Sequence, residues 1–296
     1  MKLDRYLAEE VAVDHADGDI TRREALRRLA LLGLGPAAAV NLLAAYARDG
    51  TPDQASSPSP VPTGSAEALP TQPVTFPGER GSLMGAWADA PDPKGAVLVI
   101  HENRGLTDPI RSVAGRFAAA GYAALAIDLL SEEGGSEALG DPAAATGALG
   151  RVASENPERF VSDMKAGLRE LERRVPGRQL AAVGFCFGGG MVWRLLASGE
   201  PRLAAAVPFY GPAPEDADFS GSRAAVLAIY GELDARVNAT REGAIAALDR
   251  AGLPHEAKTY AGADHAFFND TSPRYHAEAA SQAWQAVLGW FARHLA

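Results

Sequence analysis

Leu180-Ala181-Ala182-Val183-Gly184-Phe185-Cys186-Phe187-Gly188-Gly189-Gly190 is the stretch on which the fold can be decided. The apolar residues before Gly184 read as a buried strand, and Met191-Val192-Trp193-Arg194-Leu195-Leu196 continues with helical character. Between them the turn carries G-x-C-x-G, the nucleophile-elbow pattern G-x-S-x-G with sulfur replacing oxygen. So sharp a turn leaves no room for a Cβ two residues either side of its centre, and glycine stands at both places. Cys186 is the chain's single cysteine and has no intramolecular disulfide partner. A lone cysteine is most often a small buried hydrophobe. Such a residue does not need three glycines behind it.

Outward from this turn, apolar runs predict strands over 96–100, 123–127, 203–207 and 225–230, and further strands are read over 83–88 and 257–260. Helical periodicity predicts helices over 110–120, 157–174, 241–251 and 276–295. Residues 131–150 are rich in glycine and alanine and read as a loop or lid over the site. Repeated βα units with continuously apolar strands predict an α/β fold: a doubly wound, mostly parallel sheet with helices on both faces. That domain spans 74–296. Residues 48–73, rich in Pro, Ser, Thr, Gly and Ala, read as a linker.

The segment 1–47 opens with what reads as an exposed acidic helix over 1–20. Then come Thr21-Arg22-Arg23-Glu24-Ala25-Leu26-Arg27-Arg28 and an apolar stretch to Ala47. Basic residues, an apolar run and small residues at its end describe a secretory signal. The paired arginines resemble the twin-arginine export motif, although Ala25 stands where phenylalanine or leucine is usual. The apolar run is short for a membrane span and is broken at Gly35-Pro36, so no stable span is expected in the mature chain. Two readings stay open: export to the periplasm or exterior with cleavage at Ala47, or a cytoplasmic protein that retains the segment as an amphipathic helix.

A chain of 296 residues with 47% hydrophobic and 22% charged residues is globular. Its net charge of −9 argues against nucleic acid as a partner. One cysteine excludes a thiolate zinc cluster, and the six histidines show no metal-ligand spacing, so neither metal nor cofactor is expected.

Two later loops complete a constellation. Gly231-Glu232-Leu233-Asp234 follows one predicted strand and Gly262-Ala263-Asp264-His265 follows the next, where an open α/β sheet presents its chemistry. The order nucleophile, acid, histidine is that of α/β-hydrolases. Cys186 would attack an acyl carbon, His265 would accept and return the proton, and Asp234 would fix the imidazole tautomer. Asp264 is a rival carboxylate, but adjacency to the histidine would usually turn it elsewhere. Backbone N–H groups of Phe187, opening a helix, and of Asn103, in the loop after 96–100, are the candidate oxyanion donors.

The glycine-framed cysteine, the Gly-x-x-Asp loop, the late histidine and the phrases His101-Glu102-Asn103-Arg104-Gly105-Leu106 and His265-Ala266-Phe267-Phe268-Asn269-Asp270 resemble the dienelactone hydrolase family. The resemblance covers 74–296 and points to a branch with an N-terminal extension. It implies a carboxylic ester hydrolase of the carboxymethylenebutenolidase type that works on a small-molecule ester or lactone through a thioester acyl-enzyme. It also implies that Glu102 lies beside the thiol and modulates it; the alternative for Glu102 is a salt bridge to Arg104 or another arginine. Asn269 stands where the best-known members carry a substrate-binding arginine. Arg104 and Arg274 are candidates to hold an anionic substrate instead. Competing readings are a binding protein on a hydrolase scaffold and a cysteine-dependent amidotransferase. Against the latter, Phe267 stands where that class has glutamate.

Overall fold

The structure, a computed structural model, describes residues 3–47 and 67–295, so most of the expected linker lies outside the described residues. Three helices come first: α1 (Leu3–Ala16), α2 (Arg22–Leu31) and α3 (Pro36–Ala45). There follow β1 (Gln72–Pro77), β2 (Ser82–Ala88), β3 (Ala96–Ile100), α4 (Asp108–Ala119) and β4 (Ala123–Asp128). Next come α5 (Ser136–Leu139), α6 (Pro142–Glu155), α7 (Glu158–Arg174), β5 (Leu180–Phe185) and α8 (Phe187–Ala197). The chain ends with β6 (Leu203–Phe209), β7 (Ala225–Gly231), α9 (Ala235–Asn238), α10 (Arg241–Ala251), β8 (His255–Tyr260) and α11 (Ala277–His294).

The eight strands form one sheet in the order β1-β2-β4-β3-β5-β6-β7-β8. β1 and β2 run antiparallel to their neighbours, and every pairing from β4 to β8 is parallel. β3, β4, β5 and β7 are buried along their whole length. That is why their sequences are unbroken apolar runs without alternation. The expected mostly parallel α/β sheet is present. β1 was not among the expected strands: it is an edge strand, largely exposed, with a proline at its second and last positions.

Two expectations are overturned. The stretch 131–150 is no loop, because α6 occupies Pro142–Glu155, with Asp141 capping it by accepting a bond from the Ala143 N–H at 2.9 Å. Its glycines reflect contact, not flexibility. A Cβ on Gly147 would lie 2.8 Å from the Leu31 Cβ, and one on Gly150 only 2.1 Å from the Leu32 Cδ2. These absent side chains let α2 lie directly on α6. Nor is α1 exposed: Leu3, Tyr6, Leu7, Ala8, Val11 and Ala12 are buried, and so are Glu9, Glu10 and Asp14. Leu3, Tyr6 and Leu7 join the main core, while Ala8, Val11 and Ala12 pack with α2 and α3 residues Leu29 and Leu43. Among the described residues no helix is long and apolar enough to cross a membrane.

Because Leu7 has no accessible surface, Leu7→Ala is expected to cost about 2–5 kcal/mol in urea unfolding. A solvent-exposed helix would lose less than about 0.5 kcal/mol.

Candidate active site

The strands bring their carboxyl ends to one edge of the sheet. Ile100 is opposite Gly184, and Gly231 is opposite Tyr260, so the loops after β3, β5, β7 and β8 emerge together. Cys186 sits between β5 and α8 with φ 55° and ψ −117°, a strained conformation for a residue with a side chain. Close crossing holds it there. A Cβ on Gly184 would fall 2.1 Å from the Gly188 oxygen, and one on Gly188 would fall 2.4 Å from the Ile100 oxygen. Tyr210 and Ala266 also have positive φ, so three of the four non-glycine residues with that geometry among the described residues border this site. Strain stored at one place is characteristic of functional sites.

The loops after β7 and β8 are tied to each other. Leu233 N–H donates to the Ala263 oxygen at 3.0 Å, and Gly262 N–H donates to Glu232 Oε2 at 2.8 Å. The result aims Asp234 at His265: Nδ1–H donates to Asp234 Oδ2 at 2.6 Å, and both side chains are buried. The other Asp234 oxygen accepts from the Val237 N–H at 3.1 Å, so the carboxylate is anchored to the start of α9. Asp264 accepts from the His265 backbone N–H at 2.7 Å, within its own loop. His265, Cys186 and a third residue, Glu10 of α1, each present a donor atom within 4.8 Å of the others.

Glu10 is 1% exposed, and its Oε1 lies 3.1 Å from His265 Nε2. Its other oxygen accepts from Arg236 Nη2 at 2.6 Å. Tyr6, one helical turn earlier, donates from its hydroxyl to Cys186 Sγ at 3.4 Å and lies under the Arg236 guanidinium at 4.6 Å. The Glu10 contact is an ion pair off the hydrogen-bonding direction, for Nε2 has no aligned protein acceptor.

The electrostatics follow from burial among carboxylates. Burial alone would push the His265 imidazolium down, but Glu10 and then Asp234 outweigh it and raise its pKa well above the ordinary value. Burial also pushes the Cys186 thiol up, and Glu10 adds to this; the imidazole pulls the other way. Glu10 is held low by Arg236 and His265 in spite of its burial. Glu102 is raised by burial, with Arg104 and His265 opposing.

A cavity of about 300 Å³ gathers Cys186, His265, Glu102, Asn103, Arg104, Asn269 and Arg274, with Glu10, Asp14 and Asp19 of the N-terminal segment in its wall. Asp234 stands behind His265, outside the cavity lining. Glu102 Oε2 accepts from Asn269 Nδ2 at 2.9 Å, so Asn269 holds a carboxylate of the protein itself. The loop bearing Glu102 and Asn103 is pinned at both ends. His101 Nε2 accepts from the Leu129 N–H at 3.1 Å, and the Leu106 N–H donates to Ser136 Oγ at 2.8 Å. Phe187 opens α8, in the turn whose N–H groups have no helical acceptor. Glu10, Cys186 and His265 are also the group that could chelate a thiophilic divalent ion, a grouping no sequence spacing displays.

The profile of the dienelactone hydrolase family matches residues 83–295. The chain belongs to that family. A provisional carboxymethylenebutenolidase of Escherichia coli O157:H7 is 32% identical over 221 residues, covering 70% of this chain and 79% of the relative. Its counterpart in Yersinia pestis is 32% identical over 233 residues, covering 73% and 85%. Among solved structures, a provisionally named dienelactone hydrolase from Klebsiella pneumoniae superposes with a TM-score of 0.64 at 29% identity, over 76% of this chain and 98% of its own. The dienelactone hydrolase of Anabaena variabilis shares the fold, with a TM-score of 0.59 at 21% identity over 76% and 98%. The protein is a hydrolase of dienelactone hydrolase type on an α/β-hydrolase fold.

Tyr6, Glu10, Asp14 and Asp19 were not among the candidate residues. The available signal is spacing: 6, 10 and 14 stack on one face of a helix, a face too polar for a core and too regular for a random surface.

Glu10→Gln removes one negative charge beside both the thiol and the imidazole, and each then loses its proton at lower pH. The pH midpoint of Cys186 alkylation by iodoacetamide is expected to fall.

Proposed function

We propose that this dienelactone hydrolase-type enzyme cleaves a carboxylic ester or lactone through Cys186, His265 and Asp234, with a thioester acyl-enzyme. One observation carries the reading. The chain's single cysteine is held at a strained elbow within 4.8 Å of the histidine's side-chain donor nitrogen, and that imidazole's Nδ1 is bound by a buried carboxylate at 2.6 Å. His265 Nε2 takes the thiol proton and the thiolate attacks the acyl carbon. The N–H groups of Phe187 and Asn103 support the oxyanion. His265 returns the proton to the departing alkoxide, which in a lactone stays tethered to the acyl group. Water, deprotonated by His265, then attacks the thioester and releases the acid and the free thiol. Asp234 keeps Nδ1 protonated, so Nε2 is the nitrogen that works. Burial, then the Glu10 carboxylate and last Glu102, disfavour the thiolate in the empty site and favour a protonated, unreactive resting thiol. The relatives named carboxymethylenebutenolidase carry a name that denotes opening of a butenolide, and this supports a lactone or ester over an amide.

The test is hydrolysis of p-nitrophenyl acetate with intact-mass analysis. Wild type is expected to turn over, to be inactivated by iodoacetamide and to trap one acyl group on Cys186. Cys186→Ala is expected to lose at least about 10⁴-fold in kcat/KM. Turnover unchanged in Cys186→Ala would sink the reading.

We infer further that the N-terminal helices stay with the domain in the working enzyme, the arrangement expected of a cytoplasmic protein that retains them. Tyr6 and Glu10 touch the thiol and the imidazole, and that supports retention over cleavage at Ala47. The intact mass of the chain isolated from its own host should include residues 1–47. A mature chain starting beyond Ala47 would show that the active enzyme works without them.

A further inference from the structure

The two arginines in the cavity wall are already engaged, and their partners come from the N-terminal segment. Arg274 Nη2 donates to Asp14 Oδ1 at 2.7 Å and to Asp19 Oδ2 at 2.9 Å, while Nη1 lies 3.3 Å from Asp17 Oδ2. Arg104 Nη2 lies 3.7 Å from the other Asp14 oxygen. Arg274 and all three aspartates are nearly inaccessible to solvent, so water screens these contacts little. The cavity wall therefore holds four carboxylates, Glu10, Asp14, Asp19 and Glu102, against two guanidinium groups, Arg104 and Arg274. Glu10 is matched by Arg236 and by His265, also in the wall, which leaves Asp14, Asp19 and Glu102 against the two guanidinium groups, an excess of one carboxylate.

We propose that Asp14, Asp17 and Asp19 set the charge selectivity of the site, so that it takes an uncharged ester or lactone and rejects one bearing a carboxylate beside the scissile bond. The proposal rests on the hydrolase reading for what is cleaved, and on the geometry alone for what is admitted. An incoming carboxylate would have to displace an aspartate that the fold holds on Arg274 at no further ordering cost. It would also enter a pocket already in negative excess, and a like charge is repelled more strongly where water is excluded. An uncharged acyl group meets neither penalty. The same three aspartates would serve as a built-in stand-in for an anionic substrate group.

The single cysteine gives a direct measurement. Iodoacetamide and iodoacetate differ by one charge and alkylate the same sulfur in the intact chain, read by mass. Each rate is divided by that of 2-mercaptoethanol with the same reagent. The thiolate fraction cancels from the ratio of the two. Folded wild type is expected to discriminate against iodoacetate by about tenfold or more, and the chain unfolded in urea by much less. In Asp14→Asn/Asp19→Asn the discrimination is expected to fall about tenfold, because Arg274 is then free to attract the anion. Asp19→Asn alone gives a smaller fall and serves if the double variant does not fold. Wild-type discrimination no greater than that of the unfolded chain, or a ratio unmoved by both variants, overturns the proposal. Alkylation needs no turnover, so an inactive esterase would leave this test standing. A failed charge test would likewise leave the thiol chemistry untouched.

Discussion

A buried carboxylate must find a positive partner or give up its charge, and Glu10 is where that constraint binds the two parts of this molecule together. Its partners, Arg236 and His265, belong to the α/β domain, and Arg236 also stacks on the Tyr6 ring. Removing one member of such a group strands the rest. Breaking a buried pair from one side typically costs about 3–5 kcal/mol, although replacing the whole pair by apolar residues can cost nothing. The docking of α1 is therefore specific more than it is strong. The apolar side chains of Leu3 and Leu7 supply the burial, and the charges dictate the register at which α1 lies over the site.

That register matters because the elbow does not stand alone. Gly184 and Gly188 bring the backbone of α8 against the end of β3, and this crossing places the sulfur at the cavity floor. The loops after β7 and β8 are zipped together, which fixes His265 from the opposite side. α1 then closes the remaining wall. The rigid sheet provides two sides of the site and a segment joined through residues 48–66 provides the third. A wall of that kind can be exchanged in evolution without disturbing the chemistry, a route to new selectivity on an old scaffold.

The parts legible in the sequence were those dictated by local geometry. The G-x-C-x-G turn could be read because sterics at a sharp bend act within five residues. Asp234 could be read because it closely follows the apolar strand β7, and His265 because its loop follows the next strand end, although β8 itself is largely polar. Length and type of β3, β4, β5 and β7 came through for the same reason. What stayed hidden depended on contacts across the chain. The glycines of α6 look like loop residues until Leu31 and Leu32 are seen against them. Helical character in α1 was visible, but its carboxylates face arginines 226 and 260 residues away. No periodicity encodes such a partner. An acidic helix with Glu10 and Asp14 one turn apart reads as a solvated face unless the opposing cations are known.

The flanking of one imidazole by two carboxylates also bears on how the reaction is poised. With Asp234 alone, the imidazolium would favour the thiolate beside it, as in an ion-paired cysteine site. Glu10 stabilises the imidazolium, yet it destabilises the thiolate beside it, so the two effects on an ion pair oppose each other. In the empty site burial and Glu10 push the thiol up while Glu10 and Asp234 push the imidazole up, and the Tyr6 hydroxyl lies on the sulfur. On the proposed triad, Nε2 must first give up its own proton, for which the Glu10 carboxylate at 3.1 Å is an acceptor within reach, before it can take that of the thiol. A substrate seated between α1 and His265 would bear on that contact. The wall that selects the substrate would then also be the element through which its arrival is registered at the thiol.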